Sequence, residues 1–135
     1  MRFWLSCCLM MMSGVALAHP HVWVDSQYRV DVDQANINRL EATWELDLFT
    51  STSLIAEYDV DGDGEFTGQE KLDMIEVLKS FENYGFFIKM KQDGADLVPE
   101  QVHVVDVRIR DQMLWIRLGI ALPAPVNLEA STLSL

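Results

Sequence analysis

Two patterns of apolar residues divide this chain into strands, a pair of helices, and further strands. Alternation of apolar and polar residues is typical of a strand with one buried face, and it is clearest from Leu40 to Leu48. A weaker alternation covers residues 21–33, and turn residues at 33–36 separate the two segments, so we expect an antiparallel hairpin. Three more strands are predicted in the second half of the chain, at residues 86–91, 102–110 and 113–122.

Between the strands, apolar residues recur at the three- to four-residue spacing of an amphipathic helix. One helix is predicted over residues 51–58, with Ser51 or Ser53 as its N-cap. A second helix is predicted over residues 67–83, and Gly85 is expected to end it.

The order of strands, helix pair and strands is typical of an α+β protein, not of a parallel βαβ fold. We therefore predict one α+β domain over residues 19–135, an antiparallel sheet with an inserted helix-loop-helix unit at about residues 51–83. Pro123 and Pro125 are expected to end the last strand. Because another apolar segment begins at residue 130, just before the chain stops, we expect the domain to be truncated at its carboxyl end.

The segment between the predicted helices, Asp59–Glu70, has the pattern of a calcium-binding EF-hand loop. Calcium prefers six to eight oxygen ligands, and twelve loop residues supply them at positions 1, 3, 5, 7, 9 and 12. Gly64 occupies the position of the sharp turn, and Phe66 the apolar position that anchors the loop. The predicted ligands are the carboxylates of Asp59, Asp61 and Asp63, the backbone carbonyl of Glu65, Thr67 through a water, and both oxygens of Glu70.

The alternative interpretation of this loop is an acidic surface turn that binds no ion. A calcium site is favoured because every oxygen position and the central glycine are present together. Calcium sensors use paired loops, whereas this chain has one, so we expect the ion to be structural, with a regulatory switch as the alternative.

Residues 1–18 have the features of a secretory signal peptide: a basic residue near the start, an apolar stretch, and the small-residue site Ala16–Ala18. Cleavage after Ala18 yields a chain that begins at His19. It contains no cysteine, since Cys7 and Cys8 lie in the leader, and so has no disulfide or thiolate site. No later run of about 20 apolar residues follows, so we expect a periplasmic protein that does not span the membrane.

The predicted new amino terminus, His19-Pro20-His21, offers two imidazoles and an α-amino group. In an extended chain these side chains share a face with Asp25, two steps beyond Trp23. Nitrogen ligands suit zinc, copper or nickel, so His19, His21 and Asp25 form a candidate transition-metal site. The alternative is a frayed terminus that binds nothing.

Composition narrows the classes of function. The formal net charge of -11 argues against nucleic acid or an anionic membrane surface as a partner. No nucleophile or paired-carboxylate arrangement stands out, so we do not expect an enzyme. A copper enzyme with a histidine brace would need another histidine from elsewhere in the chain, and His103 is the only one left.

Five segments of the chain together match a known family: Ala18–Asp25, Trp44–Asp47, Tyr58–Glu70, Asn83–Phe87 and Leu122–Val126. In these segments the chain resembles the DUF1007-like family of exported bacterial proteins of unknown function, described as periplasmic components of an uncharacterised ABC-type transport system. The resemblance covers essentially the whole predicted mature chain. It implies an association with nickel, cobalt or zinc permeases and strengthens the metal role of the two histidines.

These observations predict a periplasmic metal-binding accessory protein of a zinc, nickel or cobalt transport system. A calcium ion in the loop would be its structural support, and an inner-membrane metal permease its partner. The alternative is a calcium-binding interaction module with no transition-metal role, and a histidine-brace copper enzyme is the third and least favoured hypothesis.

Overall fold

The computed structural model of this protein describes residues 22–135. Two α-helices, α1 (Leu48–Tyr58) and α2 (Gly68–Lys79), lie between two groups of strands, and a 3-10 helix (Ser80–Phe87) follows α2. The strands in this part of the chain are β1 (Val24–Asp33), β2 (Asn36–Leu46), β3 (Met90–Gln92), β4 (Ala95–Leu97), β5 (Gln101–Arg110), β6 (Met113–Asn127) and β7 (Leu133–Ser134).

All strand pairs in the described residues are antiparallel, and they form two sheets. The larger sheet has the order β1-β2-β6-β5, and the smaller one the order β4-β3-β7. The fold is therefore α+β, with antiparallel sheets and two helices, as the sequence predicts.

The core lies on one face of the larger sheet. Along β2, Leu40, Ala42, Trp44 and Leu46 are buried while the residues between them are not. The neighbouring strand β6 buries Leu114, Ile116, Leu118, Ile120 and Leu122 on the same side. Met74 and Leu78 of α2 belong to the same core cluster, so burial of apolar area attaches the helices to this face.

Helix α1 begins three residues earlier than predicted, because Asp47 is its N-cap. An oxygen of the Asp47 carboxylate accepts a hydrogen bond from the backbone N–H of Thr50 at 2.9 Å, which satisfies a free amide of the first turn. The prediction of Ser51 or Ser53 as the cap is wrong. Ser51 is instead fully buried, where its hydroxyl donates to the Leu46 carbonyl at 3.1 Å and accepts from the Leu114 amide at 2.9 Å.

The strand predicted over residues 86–91 is only three residues long, Met90–Gln92. Gly85, Phe86 and Phe87 all have positive φ angles, of 58°, 49° and 55°. This left-handed backbone turns the chain at the place where the alternation of side chains predicts a strand.

Strand β6 is longer than predicted, since it passes through both prolines to Asn127. Its pairing with β2 is irregular between Ile37 and Arg39, whose partners are Val126 and Ala121. The prolines lie in the stretch between those two partners, where β6 has no register partner on β2, so they interrupt no paired position of that ladder.

Candidate metal centre

The acidic loop, defined here as residues 59–67, joins the end of α1 to the start of α2. Asp59 follows α1 directly, and its backbone N–H donates to the Ile55 carbonyl at 2.9 Å. Thr67 is the N-cap residue of α2, and Glu70 lies in the first turn of that helix. The two helices therefore fix both ends of the loop.

Three carboxylates of the loop converge. One oxygen each from Asp59, Asp61 and Asp63 lies within 4.8 Å of the others. In residues 22–135 this is the one group of three or more side chains whose spacing could hold a metal ion. Carboxylate oxygens at this separation suit a hard divalent cation such as calcium.

Backbone amides of the loop orient these carboxylates. The Gly64 amide donates to Asp59 Oδ2 at 3.0 Å, the Asp63 amide to Asp61 Oδ1 at 3.1 Å, and the Glu65 amide to Asp63 Oδ1 at 2.8 Å. Each bond engages one oxygen of its carboxylate. The loop is thus wound around its own acidic side chains.

The second oxygen of Asp59, Oδ1, is buried and has no hydrogen-bond partner in the structure. Burying a carboxylate oxygen without a partner is unfavourable, and a bound cation is the partner that the neighbouring carboxylates favour. This atom distinguishes the loop from an ordinary acidic turn, in which the oxygens face water.

Glu70 approaches the loop from α2 but is not a member of the three-carboxylate group. Its Oε1 accepts from the amides of Val60 at 2.8 Å and Asp61 at 3.2 Å, and its Oε2 accepts from the Thr67 amide at 3.4 Å. To bind an ion through both oxygens, Glu70 would exchange these bonds for metal contacts. For Glu65 and Thr67 the structure gives the position of the backbone, but it does not identify an atom of either residue as a ligand.

Two loop residues match the roles predicted for them. Gly64 has a φ of 82°, a left-handed conformation that a residue with a Cβ rarely adopts. Phe66 is 6% exposed and belongs to the core cluster, so it anchors the loop to the body of the protein.

The electrostatic potential of the loop is negative. The hydrogen bond from the Asp63 amide lowers the pKa of Asp61, but desolvation and the charges of Asp63, Glu70 and Asp59 outweigh it. The pKa of Asp61 therefore lies above its ordinary value. Mutual repulsion of this kind is relieved when a cation binds.

An ion-pair network centred on the buried Asp106 connects the first turn of α2 to β5, and no pattern in the sequence indicates it. Asp106 is 9% exposed and bridges Lys71 of α2 and Arg108 of β5. Burial raises the pKa of Asp106, but the hydrogen bonds and charges of Lys71 and Arg108 outweigh it and hold the pKa below its usual range. A strand irregularity between Val104 and Asp106 reorients Asp106, so alternation alone could not reveal it.

The predicted transition-metal residues are only partly described. His19 and His21 lie outside the described residues. Asp25 is an exposed residue of β1, and its direct partner on β2 is Glu45, a further candidate ligand that is not among the residues predicted from the sequence. Knowledge of the hairpin register would have found it, because paired residues lie on the same face of a sheet.

His103 is not brought near Asp25. It lies on β5, whereas Asp25 lies on β1, and β2 and β6 separate the two strands, a distance of about 14 Å at the usual strand spacing. The ring of His103 lies over Gly119, where an added Cβ would be 2.6 Å from the ring Cε1. His103 is therefore packed against the outer face of the sheet.

The fold and the loop define an α+β protein with a candidate site for a divalent cation. The chain belongs to the family described as "Protein of unknown function (DUF1007)", whose model matches residues 4–135. This confirms the resemblance drawn from the sequence. No curated protein and no solved structure gives a match. None of the helices in residues 22–135 has the length and apolarity needed to cross a membrane.

Proposed function

We propose that this chain is an exported metal-binding accessory protein whose acidic loop binds a structural calcium ion as an EF-hand. The observation that supports it best is the convergence of Asp59, Asp61 and Asp63 around the buried, unpartnered Asp59 Oδ1. Calcium would neutralise these charges and supply the partner that this oxygen lacks.

Calcium binding would also fasten the helices to the sheet. The loop joins the end of α1 to the start of α2, and Lys71 in the first turn of α2 is bonded to Asp106 of β5. An ion that fixes the start of α2 therefore stabilises the contact between α2 and β5. This is the reason for proposing a structural role, with a binding function and no catalysis.

Calorimetric titration with calcium tests the site through two matched variants. Glu70→Gln keeps an acceptor for the loop amides but removes the charge of the predicted bidentate ligand, and calcium affinity is expected to fall about tenfold or more. Glu65→Gln removes an equal charge from a residue that contributes only its backbone carbonyl, so its effect should be small. Equal affinities for Glu70→Gln and the unmodified protein would reject the EF-hand assignment.

A second function, in transition-metal transport, rests on the chain around Asp25. Glu45 lies directly opposite Asp25. Just before β1, the backbone of Trp23 is fastened to Asp47: the Trp23 amide donates to Asp47 Oδ2 at 3.0 Å, and the Asp47 amide donates to the Trp23 carbonyl at 2.9 Å. We propose that His19 and His21 bind zinc, nickel, cobalt or copper there, with Asp25 as a ligand or orienting group.

In this proposal the protein is periplasmic after cleavage behind Ala18 and delivers its metal to an inner-membrane permease, the partner that the family resemblance implies. Titrations with zinc, nickel and copper would compare the processed protein with His19→Ala and His21→Ala, and His103→Ala provides the histidine control. Loss of binding in the first two variants alone is expected. Unchanged binding in both would leave a calcium-binding interaction module, and loss in His103→Ala as well would favour a histidine-brace site.

A further inference from the structure

Strand β1 forms one edge of the larger sheet, and its side chains are largely exposed. Nine of its ten residues are exposed, and Tyr28 alone is partly buried. Val24, Val30 and Val32 are 43%, 39% and 49% exposed, although their partners Leu46, Leu40 and Ile37 on β2 are core residues. The apolar face of the sheet therefore continues onto β1, where these valines remain exposed.

The opposite edge of the sheet, β5, is protected. Its pairing is irregular between Val104 and Asp106, the side chain of Asp106 is bonded to Lys71 of α2, and α2 packs against the strand. Irregular pairing, a fixed charge and a covering helix are devices that block edge-to-edge association. From Val24 to Asp31, β1 has a regular register with β2. Its charged residues in this stretch include both signs, Asp25, Arg29 and Asp31.

We propose that a second copy of this chain pairs antiparallel with β1, so that two four-stranded sheets join into one of eight strands. Such pairing satisfies free backbone groups of the edge strand and places the valines of the two copies side by side. The choice of a second copy rests on the sequence of β1, which is complementary to itself in one register.

The faces of the sheet limit the registers that two copies can adopt. Apolar residues remain on one face only when Val24, Ser26, Tyr28 and Val30 of one copy pair with the same set in the other. The backbone agrees with this restriction. The Asp47 amide donates to the Trp23 carbonyl, and the direction of the backbone N–H and C=O groups alternates along a strand. In β1 these groups therefore point toward β2 at odd-numbered residues and toward the open edge at even-numbered residues.

Charge selects one of these registers. With Gln27 opposite Gln27 of the partner, Asp25 faces Arg29 at two symmetric places, and Val24 faces Val30. If Tyr28 lay on the symmetry axis, Asp25 would face Asp31 of the partner copy. If the axis lay one residue further, Arg29 would face Arg29 of the other copy. Centring on Ser26 forms no ion pair. Centring on Val30 pairs Arg29 with Asp31 but runs through the irregularity between Asp31 and Val32.

Charge reversal tests this register, with sedimentation velocity as the readout in calcium buffer free of transition metals. The processed protein is expected to form dimers as its concentration rises. Arg29→Asp would create two like-charge contacts and weaken the dimer about tenfold or more. Adding Asp25→Arg to the Arg29→Asp variant should restore the dimer, because the two ion pairs between positions 25 and 29 form again with the charges exchanged. Arg39→Asp, one strand inward on β2, is the control and should leave the dimer unchanged.

A single cysteine at the symmetry axis gives an independent test. Gln27 faces its own copy in a non-hydrogen-bonded pair, where the Cα atoms are close enough for a disulfide. With Cys7 and Cys8 changed to serine, Gln27→Cys is expected to form a disulfide-linked dimer on mild oxidation. Gln101→Cys, an exposed glutamine on the protected edge β5, is expected to remain monomeric. A monomer at all concentrations, no rescue by the double variant, or equal cross-linking at Gln101 would each overturn the proposal.

Discussion

The acidic loop and strand β1 both contain candidate metal ligands, but they are stabilised in opposite ways. In the loop, hydrogen bonds between nearby residues orient Asp59, Asp61 and Asp63, and Phe66 anchors the loop in the core. In β1 every pairing is with β2, and nine side chains of ten remain exposed. The arrangement of the carboxylates in the loop depends on contacts within the loop, whereas the position of Asp25 depends on the pairing of β1 with β2.

The largest expected difference separates β1 from the strand beside it. Leu40 of β2 is fully buried and faces Val30 of β1, which is 39% exposed. Leu40→Ala is expected to lower the free energy of unfolding by about 2–5 kcal/mol, and Val30→Ala by about 1 kcal/mol or less. Urea denaturation at low protein concentration measures both. Equal losses would show that β1 belongs to the core as much as β2 does.

Calcium is expected to stabilise the protein through the loop. At a calcium concentration of about 100 times Kd, the gain is about 2.7 kcal/mol, or a Tm rise of about 10 °C. Asp59→Asn should abolish this rise, yet in chelator it should be at least as stable as the unmodified protein, because it removes the charge from a side chain whose Oδ1 is buried without a partner. Thermal unfolding in calcium and in chelator tests both. A calcium-dependent Tm that survives in Asp59→Asn would locate the ion elsewhere.

The ion pairs of Asp106, which connect α2 to the sheet, are expected to be lost in acid. The ion pairs with Lys71 and Arg108 hold the pKa of Asp106 below its ordinary value in the folded protein. This group therefore contributes stability above its unfolded pKa and loses that contribution as pH falls through the folded pKa. Asp106→Asn should cost about 1–2 kcal/mol at neutral pH. It should also make the free energy of unfolding less dependent on pH below about pH 4. An unchanged profile would show that the ion pairs with Lys71 and Arg108 contribute nothing.

The smallest expected effect concerns protons that compete with calcium. The neighbouring carboxylates leave the pKa of Asp61 above its ordinary value, so this group binds a proton at a higher pH than an isolated aspartate does. Calcium affinity should therefore decline as pH falls toward the acid range, earlier in the unmodified protein than in Asp61→Asn. Titrations at a series of pH values measure the decline, and parallel curves for the two proteins would contradict this explanation.

The same contrast explains which features the sequence could predict. The structure of the acidic loop depends on contacts between near neighbours. The twelve-residue pattern from Asp59 to Glu70 therefore indicates the turn at Gly64, the anchor at Phe66 and the convergence of the three aspartates. The α+β class and the antiparallel pairing were also predictable, because alternation and turn residues are local signals.

Features that depend on distant partners were not predictable. The buried role of Ser51 follows from its hydrogen bond with Leu114, and the continuation of β6 through Pro123 follows from the irregular pairing with β2. Similarly, Asp106 became a bridge only because a strand irregularity and Lys71 of α2 meet there. Each of these depends on pairs of residues that only the folded chain brings together.

The central claim is that the acidic loop binds an ion, and amide NMR of the processed protein during a calcium titration tests it most directly. The amides of Gly62 and Gly64 in the loop, and that of Gly68 at the start of α2, are expected to shift and saturate together, since the Gly64 amide is bonded to Asp59. The amide signals of Gly94 and Gly119, which lie outside the loop, should not shift. Loop amides that do not move while calcium is added, or shifts confined to residues outside the loop, would contradict the claim.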